Sequence, residues 1–451
     1  MVEKTSVLQT IHFYNIDVWD CKRLLNKNNF TSKFDLVPFS SVLKDIETEW
    51  ESVVDNKIYR ILGVHSYGDG VYIYKEAFGK ELTMKKYQKT VQNTLFWCKV
   101  RTVHGQFGII KDKFENTYAS SNMQYMKIET EKILPEYLQL LFKKNPLTDY
   151  MDTLSIGADG RHFNKSVLLN VKFPLPSIDE QEIILNKYQE SITQADKLDK
   201  KADEEEKSID TFIFNLLGIK EISLERKTDS VLSISSLVNM YNWDAKHAIL
   251  NVNPQTLLKS NIYRNIPIQM AFAINPSTQF PKEIDEISFL PMECISDIYG
   301  TVIEKRTIDS KTKGYTKFKD NDVIFAKITP CMQNGKCAVV QDLLHGYGMG
   351  STEFHVFRAI KEDVLPEFLH SLLRTTMLRR TAMNYFTGSS GQQRVSSEFI
   401  KNLFIPLPPL PVQNEIVEHI NQIKSQIKEL RQQAKELREK AKLEFERSVF
   451  E

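Results

Sequence analysis

The stretch FIPLPPLPVQNEIVEHINQIKSQIKEL, Phe404–Leu430, sets alternating prolines directly before a strongly periodic helix. It decides the fold because the chain carries it twice. In KFPLPSIDEQEIILNKYQESI, Lys172–Ile192, residues Pro174, Leu175, Pro176 and Gln181 match Pro406, Leu407, Pro408 and Gln413 at an offset of 232. Proline has a fixed φ and resists helix, so each lead-in reads as a stiff, extended joint that fixes where a domain leaves its helix.

The repeat extends well back from the prolines. ILPEYLQLLFKK (Ile133–Lys144) answers VLPEFLHSLLRT (Val364–Thr375), YASSNMQYMKI (Tyr118–Ile128) answers GMGSTEFHVFR (Gly348–Arg358), and LFWCKV (Leu95–Val100) answers VIFAKI (Val323–Ile328). YNIDVWDCK (Tyr14–Lys22) resembles NMYNWDAK (Asn239–Lys246). The offset drifts from 224 to 232, as insertions in loops require. The chain is a tandem duplication of domain plus helix. Short β-branched and aromatic segments alternate with Gly- and Asn-containing turns, which predicts strands, and each Leu-Pro-Glu opens a short amphipathic helix. The expected class is α+β: residues 1–176 one domain, 177–218 a spacer helix, 219–409 a second domain and 410–451 a second spacer helix.

Ile416, Ile420, Ile423, Ile427, Leu430, Ala434, Leu437 and Ala441 follow the four-three alternation of a coiled-coil seam. Ile184, Tyr188, Ser191, Ala195, Leu198, Ala202, Glu205, Ile209 and Phe212 keep the same spacing with two polar interruptions. Two seams in one chain favour pairing with each other over a homodimeric coiled coil, and the pseudo-symmetry of two like units favours an antiparallel arrangement. Ile178–Phe214 holds 37 residues and Leu410–Phe450 holds 41, so the second helix is expected to be about one turn longer.

With 41% hydrophobic and 26% charged residues over 451 positions, the composition excludes disordered and fibrous classes and allows two or three cores. No apolar run approaches the roughly eighteen residues of a membrane span, and MVEKTSVLQTIHFYNIDVWD lacks the sections of a signal peptide, so a cytoplasmic protein is expected. Cys21, Cys98, Cys294, Cys331 and Cys337 are odd in number and form no C-x-x-C pair, which suggests reduced thiols and no zinc site. The net charge of +1 is unevenly placed: Ser177–Gly218 has eleven acidic and five basic residues and Leu410–Glu451 has eight of each, leaving about +7 on the domains. That distribution suits domains, and not helices, that face a polyanion.

Enzyme motifs are missing. No G-x-x-x-x-G-K-[ST] or G-x-G-x-x-G is present, no Asn-Pro-Pro-aromatic segment suits amino methylation, and the nine histidines contain no H-E-x-x-H. Asp320, Asp322 and Lys327 depart from a metal-nuclease pattern because Phe325 stands where an acidic residue is needed.

DNDVIFAKITPCMQNGKCAVV (Asp320–Val340), MGSTEFHVFR (Met349–Arg358), FTGSSGQQRVSSEFIKNLFIPLPPLPVQNEIV (Phe386–Val417) and the terminal heptads resemble the specificity subunit of type I restriction-modification systems. The resemblance covers nearly the whole chain; LSIGADGRHFNKSVLLNVKFPLP (Leu154–Pro176) follows the pattern more loosely. It implies two target-recognition domains that each read one part of a bipartite site in double-stranded DNA, held apart by two helices packed antiparallel. The helices would dock methyltransferase subunits, two per chain, and through them restriction subunits. The subunit itself would have no catalytic site and no cofactor; its partners would use S-adenosylmethionine, ATP and magnesium. Two alternatives stay open: a recognition subunit whose partner fuses methyltransferase and nuclease, and a scaffold that binds protein. A stand-alone nuclease would have to cleave with metal by itself.

Sequence reading needs hydrogen-bond donors on loops that reach base edges, with lysines and arginines on phosphates. TGSSGQQRVS (Thr387–Ser396) offers Ser389 and Ser390 for phosphate, Gln392 and Gln393 for adenine, and Arg394 for guanine or phosphate. Its counterpart SIGADGRHFNKS (Ser155–Ser166) offers Arg161, His162, Asn164 and Lys165. A second cluster, Lys327, Thr329, Gln333, Asn334 and Lys336, is paralleled by Lys99, Arg101, His104 and Gln106. Trp19–Asp20 and Trp243–Asp244 suit core or cap positions better than base-stacking platforms.

Overall fold

A computed structural model describes residues 31–99, 106–111, 113–154, 163–221, 253–388 and 393–451. Two compact units emerge, Met1–Lys197 with Gln433–Glu451, and Leu198–Gln432. Each is built on the same plan.

In the first unit Thr94–Cys98, apolar from Leu95 onward, is buried on both faces and lies between Phe107–Ile110 and Met123–Ile128, both antiparallel, with Leu43–Lys44 beyond. In the second, Val323–Ala326 is buried throughout and takes the same place between Cys337–Val339 and Phe354–Ala359, with Phe272–Ile274 beyond. Continuous apolar runs belong at the centre of a covered sheet, where neither face meets water. A further sheet repeats as well. Ile58–Val64 runs parallel to Thr117–Ala119, as Glu286–Leu290 does to Tyr347–Gly350. Antiparallel partners Val71–Phe78 and Lys86–Lys89 answer Arg306–Asp309 and Thr316–Lys319. The first unit adds the edge strand Trp50–Ser52.

The fold is therefore α+β and duplicated. Each sheet is covered by the short helix that opens at Leu-Pro-Glu: Pro135–Leu141 buries Tyr137, Leu138, Leu140 and Leu141, and Pro366–Arg374 buries Phe368, Leu369, Leu372 and Leu373. Proline at the first turn costs nothing there because its missing N–H would have had no partner.

The proline joints begin as strands. Lys172–Pro174 pairs antiparallel with Leu36–Pro38, and Phe404–Pro406 with Asn265–Pro267. What then locks each joint is the repeated glutamine. Gln181 accepts a hydrogen bond from the Leu134 amide (2.8 Å) and donates to the carbonyls of Lys132 (3.0 Å) and Pro176 (2.9 Å). Gln413 accepts from the Leu365 amide (2.9 Å) and donates to Asp363 (2.8 Å) and Pro408 (2.8 Å). Both side chains are fully buried. One amide thus ties together the extended lead-in, the start of the long helix and the N-terminus of the short helix, whose first N–H groups have no helical partner of their own.

The long helices are α1, Ile178–Leu217, and α2, Leu410–Phe450. Ser177 and Glu180 form a capping box at the start of α1, through Ser177 N to Glu180 Oε2 (2.9 Å) and Glu180 N to Ser177 Oγ (3.4 Å). Gly218 ends it at φ 62°, with Ile219 N bonded to Phe214 O (2.8 Å) and Gly218 N to Asn215 O (3.2 Å), a Schellman stop. The expected one-turn difference between the helices is absent: they hold 40 and 41 residues. The apolar pattern weakens at Asn215, but Leu217 is fully buried and carries the helix on to the glycine.

Within the first unit Tyr188 meets Phe445 (6.3 Å between ring centroids), Lys187 pairs with Glu444 (3.5 Å) and Asp196 with Arg438 (2.6 Å). Within the second, Arg431 bridges Asp203 (3.3 Å) and Glu206 (2.8 Å), and Phe212 stacks on His419 (3.8 Å). Rising numbers on α1 meet falling numbers on α2 in both, so the helices are antiparallel. Ala195, Ile416, Ile420, Ile423 and Ile427 are buried along the seam; Ile184, Tyr188, Leu198, Leu430 and Leu437 are half-buried. Among the described residues no helix is long and apolar enough to cross a membrane.

Candidate nucleic-acid interface

The two polar clusters read from the sequence of the second unit lie side by side. Lys327 follows the central strand, and its amide donates to Glu353 O (2.9 Å). The segment Gln393–Val395 then zips onto the chain that leaves this strand, through Val395 N to Lys327 O (2.8 Å) and Thr329 N to Gln393 O (3.0 Å). His355 secures the zip from below. Its Nε2 donates to Val395 O (3.0 Å), and Nδ1 accepts from the Asn275 amide (3.3 Å). Burial pushes the His355 imidazole below its ordinary pKa, so it stays neutral and serves as a fixed donor.

Corresponding positions in the first unit repeat the join. Lys99 N donates to Asn122 O (2.9 Å) and Phe163 N to Lys99 O (3.1 Å). In each unit the residue that follows the central strand is therefore bonded to the chain just before the short helix of the joint, Lys99 to Phe163 and Lys327 to Val395. Arg101, His104, Arg161, His162, Ser389, Ser390 and Gln392 lie outside the described residues, as do Trp19, Asp20, Trp243 and Asp244.

Arg394 is held by a bidentate pair with Glu353, Nε to Oε2 (2.9 Å) and Nη2 to Oε1 (2.8 Å). The guanidinium draws the Glu353 carboxyl below the usual carboxylate range. Arg394 is 38% exposed, so the pair sits at the surface with one side open to solvent. Lys336 Nζ donates to Met292 O (2.9 Å), which anchors it to the backbone, while Asn334 stands exposed at the loop tip. Asn164 occupies the N-cap position of Lys165–Asn170, where Ser396 caps Ser397–Lys401 in the second unit; Lys165 pairs with Asp45.

Two residues that the sequence reading passed over support this region. Arg374 donates to Gly335 O and Arg379 to Gln333 O (2.6 Å), so the loop 328–336 is braced by guanidinium groups on its carbonyls. Gly335 has φ 85°, the left-handed region that glycine adopts freely. Asp320 and Asp322, the nearest approach to a nuclease pattern, are committed elsewhere. Asp322 is fully buried and takes a bidentate pair from Arg358 (2.8 and 2.7 Å), and Asp320 accepts from Leu343 N (3.0 Å). Among the described residues no group of three or more His, Cys, Asp or Glu side chains is placed to hold a metal ion.

Residues 55–205 and 292–439 each match the model of the type I restriction modification DNA specificity domain. The chain belongs to that family. Each matched stretch starts in the sheets of one unit and ends in a long helix, so the repeat that defines this specificity protein is the family domain taken twice. Among curated relatives, it is 38% identical over 152 residues to the type I restriction enzyme EcoAI specificity subunit of Escherichia coli, 33% of this chain and 26% of that one. To the EcoEI specificity subunit of Escherichia coli it is 36% identical over 146 residues, 32% of this chain and 25% of that one. These matches thus span about a quarter of each relative's length. A solved chain from work on complex assembly and conformational transition of the type I R-M system shares the fold, with a TM-score of 0.56 at 14% identity over 93% of this chain and 98% of that one.

Proposed function

We propose that this protein is the DNA-recognition subunit of a type I restriction-modification complex, each unit reading one half of a bipartite site in double-stranded DNA. The observation that carries the reading is the family domain matched twice, on two units that each bond the residue after the central strand to the chain before the short helix of the joint. Lysines and polar side chains there can neutralise phosphates and reach base edges. Sequence discrimination then resides in the loops, while the sheets only position them. The helix pair α1–α2 is the ruler that fixes the gap between half-sites and the dock for two methyltransferase subunits, and through them restriction subunits. Methyl transfer and cleavage belong to those partners, with their S-adenosylmethionine, ATP and magnesium; this chain supplies recognition in the cytoplasm.

The test is single-molecule sequencing of genomic DNA with and without the gene, read for N6-methyladenine. A bipartite motif of constant gap that vanishes on deletion is the expected result. Gln393→Ala combined with Arg394→Ala should then relax one half of that motif and leave the other half and partner co-purification intact. An unchanged motif in the double variant removes these residues from the interface.

A further inference from the structure

Behind the braced loop, the second unit has a half-open cavity of about 300 Å³ bounded by α1, α2 and the helices Pro366–Arg374 and Thr376–Asn384. Its walls are charged, and the charges are unequally matched. On the acidic side, Asp203 and Glu206 are engaged by Arg431, and Asp210 accepts the amide of Thr376 (2.7 Å). On the basic side, Arg374, Arg379 and Lys424 have no carboxylate within 4 Å among the described residues. Arg374 gives its donors to the carbonyls of Gly335, Asp297 (3.0 Å) and Ile298 (2.8 Å). Arg379 gives its own to Gln333 O (2.6 Å) and Arg374 O (3.0 Å), and its Nη2 has no acceptor among the described residues. Lys424 makes no hydrogen bond at all among them. Burial and the Arg374 charge bring its ammonium down to about 8. Carbonyl oxygens orient a guanidinium but do not cancel its charge, and a half-buried lysine without a partner is costly unless something supplies one.

We propose that this cavity is an oxyanion site that takes a phosphate group, held by Lys424 and the open edge of Arg379, with Arg374 as the adjoining charge. Asp210 and Glu206 offset the arginine charges only in part, from beyond ion-pair distance, and a phosphate dianion matches the remaining positive charge better than a carboxylate does, guanidinium and ammonium groups being its usual partners. The cavity is larger than one phosphate, and Ile298, Tyr299 and Ile427 give it an apolar side. Inorganic phosphate and the phosphate of a nucleotide are thus two sources of one chemistry. Occupancy has a mechanical consequence, because the two arginines that meet the anion also hold Gln333 and Gly335. A bound phosphate stiffens the loop 328–336. The site stands whether or not that loop reads DNA.

The full-length chain is heated at pH 7 in increasing sodium phosphate against sodium chloride of equal ionic strength, with AMP and adenosine as further arms. Phosphate is expected to raise the melting temperature saturably, by about 3–6 °C at ten times its dissociation constant. The Lys424→Met variant, which keeps the volume and removes the charge, should fold and lose the response; Lys424→Gln serves if the first does not fold. Hydrogen exchange at Gly335 and Lys336 should slow several-fold with phosphate in the wild type only. AMP acting at lower concentration than phosphate, with adenosine inert, identifies the nucleotide source. No rise over chloride, or a rise in the Lys424 variant equal to that of the wild type, overturns the site.

Discussion

Gln181 and Gln413 make the same three hydrogen bonds with the same classes of partner, whereas Asn122 and Glu353, equivalent by their bonds to Lys99 and Lys327, differ in charge. The contrast separates two kinds of position. A joint between domain and helix has one mechanical task in both units, so its chemistry repeats. An edge that faces a ligand has a different task in each unit if the two halves of the ligand differ. Glu353 orients Arg394 in the second unit; the corresponding segment of the first unit, residues 155–162, lies outside the described residues. The sheets behind the edges fall between these extremes. Asp322, fully buried, and Arg358, partly buried, form a bidentate pair where the first unit places Thr94 opposite Lys127.

The largest effect expected on this comparison comes from Asp322→Ala, which leaves Arg358 without a carboxylate and only its bond to Thr278 (2.8 Å), and should cost the second unit about 3–5 kcal/mol. Thr94→Ala removes one hydrogen bond to Val91 O and should cost the first about 1 kcal/mol. Denaturant unfolding with hydrogen exchange to assign the unit reads both, and equal losses would erase the distinction between the sheets. Next come Gln181→Leu and Gln413→Leu. Each strips a buried clamp and orphans the amide of Leu134 or Leu365, for a loss of about 2–4 kcal/mol, alike in the two units to within about 1 kcal/mol. Exchange at those two amides measures it directly, and a clearly unequal pair would show that the joints are equivalent only in outline. The smallest change in stability belongs to Glu353→Gln, under about 1 kcal/mol because the pair is partly solvated. It should nevertheless alter one half of the methylated motif and not the other. A motif altered in both halves, or in neither, would remove Glu353 from the list of positions that distinguish the units.

Much of this was legible in the sequence. The proline joints, the Leu-Pro-Glu helices and the seam residues rest on local periodicity and on a fixed φ, and local rules act wherever their residues occur. The central strands were visible because LFWC and VIFA are apolar throughout. What escaped was long-range pairing. Arg374 and Arg379 look from the sequence like the basic end of an amphipathic helix, and only the fold turns them toward Gly335 and Gln333. Arg394 and Glu353 are separated by 41 residues, and Lys165 and Asp45 by 120, so no window of sequence sees either pair. The end of α1 was missed for a local reason: Asn215 interrupts the apolar pattern just before the buried Leu217 and the glycine that stops the helix.

The return of α2 to the first unit has a consequence for how the protein is made. Phe445, Val449 and Phe450 are buried in the core that contains Phe39 and Tyr137, and Ser32 Oγ donates to Val449 O (2.5 Å). On the ribosome, that core must therefore wait, with its apolar surface uncovered, through the synthesis of the whole of Leu198–Gln432. The second unit is complete first, although it is encoded later, and the first closes only when the last turns of α2 emerge. The first unit is thus the last to receive all its core residues, and until then its apolar surface is open to aggregation.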